Sequence, residues 1–253
     1  MIDVLRFSGR GILLDIEGTT SSVSFVYDVM FPYVRKHLTF EVFANWMEPE
    51  YIEAFHAIAK DAGQESLDAW LKQQGLTREK PLRAAEIVCK EVTRLMDGDM
   101  KATGLKQLQG LIWQSGFESG ELQAHVYDDV PPALAAWKAA GKDVRIYSSG
   151  SIQAQQLFFG HTIAGDLLGH FRGHYDTTTG PKKEAESYRQ IAMAFALDPS
   201  EVLFLSDIVA ELDAARTAGL QTGLCIRPGN AAGQTSTGTA HPAIANFAEI
   251  AVS

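Results

Sequence analysis

An apolar run that stops abruptly in charge constrains this chain more than any other stretch. Gly11-Ile12-Leu13-Leu14 passes directly into Asp15-Ile16-Glu17-Gly18-Thr19-Thr20. A short aliphatic run bounded by turn formers reads as a buried strand. Alternate side chains share a face in a strand, and past its end the chain curls, so Asp15 and Glu17 can overlook one crevice. Open parallel sheets bind their ligands there, outside the carboxyl ends of the strands. Gly18 permits a turn that a side chain would obstruct. The plainer reading of the stretch, taken alone, is a strand followed by an acidic turn.

The pattern recurs. Val144-Arg145-Ile146-Tyr147 ends in Ser148-Ser149-Gly150-Ser151, Val202-Leu203-Phe204-Leu205 ends in Ser206-Asp207, and residues 222–226 form a last apolar run. Helical patterns lie between them at 131–140, opened by prolines and closed by Gly141, at 184–196, and at 211–218, closed by Gly219. Strands alternating with helices imply a parallel sheet with right-handed crossovers. Such a sheet puts Asp15 with Glu17, Ser148 with Ser149, and Asp207 on one edge. Thr179-Gly180-Pro181-Lys182-Lys183 delivers cations to a loop just before a helix. Helix N-termini after Ser148 and Lys182 are expected to offer backbone N–H groups to an anion. Carboxylates, hydroxyls and a lysine together suit a phosphate and Mg²⁺, which takes oxygen ligands.

Between residues 25 and 117 the strand signal disappears. An apolar helix over 25–34 is expected to be interrupted or ended near Pro32. Amphipathic patterns follow at 41–59, 67–74, 82–96 and 105–115. The expected architecture is a doubly wound α/β core, residues 1–22 and 124–253, with an all-helical cap, residues 23–123, inserted after the first strand. Residues 1–10 read as a lead-in and 231–239 as a loop of small and polar residues. His161, His170 and His174 lie in a glycine-rich connection and are expected to be structural. Phe25, Tyr27, Phe31 and Trp113 are expected to pack within the cap.

Composition narrows the partners. With 253 residues, 46% of them hydrophobic, the chain can bury a large core, and a net charge of −9 argues against nucleic-acid binding. Cys89 and Cys225 have neither metal-ligand spacing nor a disulfide framework, which fits a reducing compartment. Met1-Ile2-Asp3-Val4 opens no signal peptide, and no apolar run approaches the ~20 residues of a membrane span. A soluble cytoplasmic protein without membrane partners is expected.

Asp15-Ile16-Glu17-Gly18-Thr19-Thr20 resembles the first motif of the haloacid dehalogenase superfamily; Ser148 begins its second motif, Lys182 supplies its third, and Asp207 with Glu211 resembles its fourth. The closer resemblance is to the enolase-phosphatases of methionine salvage. Residues 25–33, Leu108-Gln109-Gly110-Leu111-Ile112-Trp113, Tyr147-Ser148-Ser149-Gly150-Ser151, Glu186-Ser187-Tyr188-Arg189 and Arg227-Pro228-Gly229-Asn230 carry it. Glu17 fits that family, whereas other phosphatases of the superfamily usually have aspartate there. Ser206 departs from the glycine or second acid common among relatives.

The resemblance implies an Mg²⁺-dependent, monomeric enzyme acting on a small phosphorylated substrate, 2,3-diketo-5-methylthiopentyl-1-phosphate. It would enolise this and remove the phosphate, leaving 1,2-dihydroxy-3-keto-5-methylthiopentene. Asp15 would be the nucleophile, forming an acyl-phosphate. Glu17 would be general acid and then base, its backbone carbonyl also binding metal. Thr19, Ser148 and Ser149 would donate to phosphoryl oxygens. Lys182, picked over Lys183 by its spacing before Glu186-Ser187-Tyr188, would neutralise phosphate charge and keep Asp15 ionised. Asp207 would bind Mg²⁺ with Asp15, while Glu211 would act through water or brace the loop. A dehalogenase or another phosphatase on the same scaffold, or a phospho-acceptor module, are the alternatives.

Overall fold

The computed structural model describes residues 4–230 and 240–253. The chain divides into two compact units, residues 1–27 with 123–253, and residues 28–122. The first unit therefore keeps the chain five residues beyond the expected boundary at 22. Those residues include the one-turn helix α1 (Val23–Phe25), whose Phe25 ring packs on Phe158 and His125. Phe25 is thus a residue of the α/β unit and not of the helical one.

The strands are β1 (Leu5–Phe7), β2 (Gly11–Leu14), β3 (Asp143–Tyr147), β4 (Gly173–Tyr175), β5 (Val202–Ser206), β6 (Gln221–Cys225), β7 (Ala243–Ile244) and β8 (Ile250–Val252). Six form one sheet in the order β4-β3-β2-β5-β6-β7, every neighbouring pair parallel. The chain steps from β2 outward through β3 to β4, then returns to the other side of β2 with β5. The strand order reverses at β2, and such a reversal opens a crevice at the carboxyl ends. Leu14 pairs with Ile146 on β3 and with Leu205 on β5. The three central strands therefore run out together, and the residues that follow them leave from one edge.

Residues 28–122 form a helical unit: α2 (Phe31–Ala44), α3 (Pro49–Asp61), α4 (Leu67–Gln73), α5 (Pro81–Asp97) and α6 (Thr103–Glu118). Pro32 sits in the first turn of α2 and opens it, where a missing N–H costs nothing; a π-helical turn over Val26–Met30 precedes it. The pattern expected over 41–59 is two helices. Pro49 cannot continue α2 and starts α3 instead, so the apolar residues over 41–59 follow two helical registers and not one. Val34, Leu38, Phe55, Ile58, Leu108 and Ile112 are buried in this unit's own core. A β-carbon at Gly104 would lie 2.3 Å from the Ile58 nitrogen, so α6 crosses α3 at backbone contact. Trp113 donates to the Met30 carbonyl and packs on Phe31.

In the first unit, α7 (Val130–Ala139), α8 (Ile152–Gly160), α9 (Ala185–Phe195) and α10 (Val209–Thr217) make the crossovers. Leu13, Tyr147, Tyr188, Ile191, Phe204 and Leu212 are buried together where α9 and α10 cover the sheet. Four short strands, β1, β4, β7 and β8, escape the sequence patterns. Residues 1–10 are not merely a lead-in, since β1 pairs in parallel with β8, and β4 lies within the glycine-rich connection. Strands of two or three residues are too short for alternation to register. The loop expected at 231–239 lies outside the described residues. Among the described residues no helix is long and apolar enough to cross a membrane.

Candidate active site

Asp15 is the first residue past β2, and its backbone N–H donates to Leu205 of β5 at 3.0 Å. The side chain is buried. Lys182 Nζ stands 2.6 Å from Asp15 Oδ1 and 2.7 Å from Glu211 Oε2. Ser206 Oγ donates to Glu211 Oε2 at 3.0 Å and lies 3.5 Å from Asp15 Oδ2. One buried ammonium thus serves two buried carboxylates. Burial pushes the Lys182 amine down, but Asp15 and Glu211 outweigh it and hold the pKa above the ordinary value. Glu211 is pushed up to about 7, by burial first and the Asp15 charge second, against the pull of Lys182 and the Ser206 hydroxyl.

The lysine loop is pinned from three sides. Tyr188 Oη donates to the Lys182 carbonyl at 2.6 Å, Ser187 Oγ to the Pro181 carbonyl at 2.8 Å, and Tyr147 Oη to the Gly180 carbonyl at 2.8 Å. Lys183, next along, is exposed; of the two lysines it is Lys182 that meets Asp15.

The turn after Asp15 folds on itself. The Ile16 carbonyl accepts from the N–H groups of Thr19, Thr20 and Ser21, and Gly18 N–H donates to Ser21. Gly18 has φ +73°, and a β-carbon there would lie 2.3 Å from Asp207 Oδ2 and 3.0 Å from Asn230 Oδ1. Only glycine takes that conformation and lets the buried Asp207 carboxylate approach. Glu17 is half-buried in this turn. The Thr19 hydroxyl is buried without a hydrogen-bond partner, its neighbour being the Cys225 thiol, a weak sulfur contact.

Ser148 is buried, and its Oγ accepts from the Gly150 N–H at 3.3 Å; Ser149 is exposed. The helix that follows is capped by Ser151 and not Ser148. The Ile152 N–H already donates to Asp176 Oδ2. The N-terminus of α8 is therefore less open to an anion than expected. Gln155 holds this loop, donating to the Gly150 and Tyr175 carbonyls at 2.9 and 2.8 Å. His174 bonds Gln155, and burial pushes its pKa down.

Sequence reasoning took Arg227 and Asn230 only as marks of resemblance. Arg227 Nε donates to the Thr19 carbonyl at 3.0 Å and Nη1 to Asp129 at 2.8 Å. Asn230 Nδ2 donates to the Gly18 carbonyl at 3.0 Å. These residues follow β6 as Asp15 follows β2, so the strand-end rule pointed to them as well. Among the described residues no three His, Cys, Asp or Glu side chains gather as a metal cage. The donor set nevertheless fits a hard divalent cation. Asp15 and Asp207 are buried carboxylates at adjacent strand ends, and Asn230 Oδ1 beside Asp207 is a buried acceptor without a donor. An ion that keeps several waters needs few protein ligands.

The family model of the haloacid dehalogenase-like hydrolases matches residues 10–219. An enolase-phosphatase E1 from Pseudomonas aeruginosa is 46% identical over 96% of this chain and 98% of its own. One from Sorangium cellulosum is 48% identical over 88% of this chain and 90% of its own. Among solved structures, the UTR4 protein of Saccharomyces cerevisiae superposes with a TM-score of 0.74 at 33% identity, covering 95% of this chain and 99% of that one. The motifs, the strand order and these similarities converge: the chain belongs to the haloacid dehalogenase-like hydrolases and, among them, to the enolase-phosphatase E1 family.

Proposed function

We propose that the chain is a phosphatase of the enolase-phosphatase type in methionine salvage. It enolises 2,3-diketo-5-methylthiopentyl-1-phosphate and then hydrolyses the phosphate, leaving 1,2-dihydroxy-3-keto-5-methylthiopentene. The observation that carries this reading is the Asp15 carboxylate at the strand-order reversal, 2.6 Å from a buried ammonium and next to a second buried carboxylate, Asp207. A dehalogenase has no use for a second metal-binding carboxylate, and a phospho-acceptor module has no need of Glu17 as a proton donor.

Asp15 attacks phosphorus and forms an aspartyl phosphate, splitting one difficult displacement into two. Lys182 keeps Asp15 ionised and faces the incoming phosphoryl charge. Glu17 gives a proton to the departing oxygen and then takes one from the water that attacks the aspartyl phosphate. Thr19, Ser148 and Ser149 donate to the phosphoryl oxygens as charge develops on them. Mg²⁺, held by Asp15, Asp207 and the Glu17 carbonyl, would supply charge neutralisation at the phosphoryl oxygens and polarise the substrate carbonyl for enolisation. The helical unit, residues 28–122, serves as the family's cap. The protein works as a cytoplasmic monomer on a small-molecule substrate.

The test is to supply the diketo phosphate with Mg²⁺ and follow enol absorbance and inorganic phosphate together. Both should rise, and chelation should stop phosphate release. Phosphate release from simple sugar phosphates but not from the diketo phosphate would contradict the assignment.

A further inference from the structure

Five buried side-chain atoms among the described residues have no hydrogen-bond partner, and three of them belong to Thr19, Arg227 and Asn230. The Arg227 Nη2 case has a local explanation. The guanidinium lies between the rings of Tyr127 and Phe247, 4.7 and 4.4 Å from their centroids, and its other nitrogens are engaged by Thr19, Asp129 and Ala245. Asn230 is different. Its amide orientation is fixed by its donors: Nδ2 faces two carbonyls, Gly18 at 3.0 Å and Cys225 at 3.3 Å. Rotating the amide would set an oxygen against both of those acceptors. Oδ1 is therefore obliged to point the other way.

It points to the side of the Gly18 turn that Asp207 also approaches. Asn230 Oδ1 and Asp207 Oδ2 both lie within 3.0 Å of one point, the position a Gly18 β-carbon would occupy. A buried acceptor without a donor is costly, and Asn230 Oδ1 is one. Water bound to a divalent cation at Asp207 would supply that donor, because metal-bound waters are strong donors.

We infer that Asn230 is an outer-sphere residue of the metal site: Oδ1 accepts from a water on the cation that Asp15 and Asp207 hold, while Nδ2 fixes the Gly18 carbonyl. It is a positioning residue, since it reaches the cation through water. The inference rests on the proposed metal role of Asp207. One side chain thereby couples the turn after β2 to the loop after β6.

Mn²⁺ titration followed by electron paramagnetic resonance tests this on the full chain without substrate, with circular dichroism to confirm folding. Outer-sphere partners typically contribute 10- to 100-fold to metal affinity, so Asn230→Ala should raise the Mn²⁺ Kd by about tenfold or more. Asn230→Asp keeps the acceptor but cannot donate to Gly18, and should bind Mn²⁺ at least as tightly as the parent. An unchanged Kd in Asn230→Ala overturns the inference. An equal loss in both variants also overturns it, because that pattern belongs to the Gly18 bond alone. Asp207→Ala separates the two levels: if it still binds Mn²⁺ normally, the metal role of Asp207 fails and Asn230 falls with it. If Asp207→Ala loses the metal while Asn230→Ala keeps it, only Asn230 is refuted.

Discussion

Lys182 Nζ lies as close to Glu211 as to Asp15, 2.7 against 2.6 Å. The lysine is thus shared between the candidate nucleophile and a second buried carboxylate. Glu211 holds the ammonium on the line that reaches Asp15, and it is itself an acid raised by burial and by the Asp15 charge to about 7. Its ordinary value is 4.5. A carboxyl whose folded pKa is raised binds more protons folded than unfolded between those two values, so stability falls as pH rises through that window.

Urea unfolding in the presence of chelator should therefore show stability decreasing from pH about 4.5 to about 7. Glu211→Gln should flatten that slope. Identical slopes in the two proteins would remove Glu211 from the account.

Gly18→Ala should fail at both local structure and chemistry. The left-handed conformation costs a side-chain-bearing residue ~1–2 kcal/mol, and the added methyl would press on Asp207. A lower melting temperature together with weakened Mn²⁺ binding is expected. Parent-like binding in a folded Gly18→Ala protein would show that Asp207 does not need this approach.

In the helical unit, Gly104→Ala should destabilise by ~1–3 kcal/mol, because the methyl meets the Ile58 backbone and not a flexible side chain. Thermal unfolding measures it. A change within a few tenths of a kcal/mol would mean that α3 and α6 separate freely.

Glu17→Gln should uncouple the half-reactions. The shape and the backbone carbonyl persist while proton transfer is lost, and general acid–base catalysis is worth ~10²–10⁴-fold. Phosphate release should fall by that order, and the phosphorylated enol should accumulate, visible by absorbance and phosphorus NMR. If both steps collapse together while Mn²⁺ still binds, Glu17 serves enolisation as well.

How far the site was legible depends on the kind of contact. Asp15, Ser148 and Asp207 stand out because aliphatic runs stop at them, and parallel pairing of β2 with β3 and β5 carries all three to one edge. Lys182 and Lys183 are indistinguishable by composition; spacing by resemblance separated them, and burial separates them physically. Asp15 was expected beside Lys182 from the resemblance, but the other contacts of Lys182 were out of reach. Glu211 meets it across 29 residues of sequence, and the hydroxyls of Tyr147, Ser187 and Tyr188 converge on its loop from β3 and α9. No local pattern encodes such convergence. The break between α2 and α3 was legible in Pro49, but the apolar spacing on either side masked it. The strands β1, β4, β7 and β8 have too few residues to show a period at all.

The central claim is that Asp15 itself takes up the phosphoryl group. Acid quenching during turnover, borohydride reduction of acyl phosphates and peptide mass spectrometry read this at residue level, since reduction of an aspartyl phosphate yields homoserine. Homoserine at position 15, dependent on substrate and absent from Asp15→Asn, is the predicted result. Rapid phosphate release with no modification at Asp15, or with homoserine at another aspartate, would contradict it.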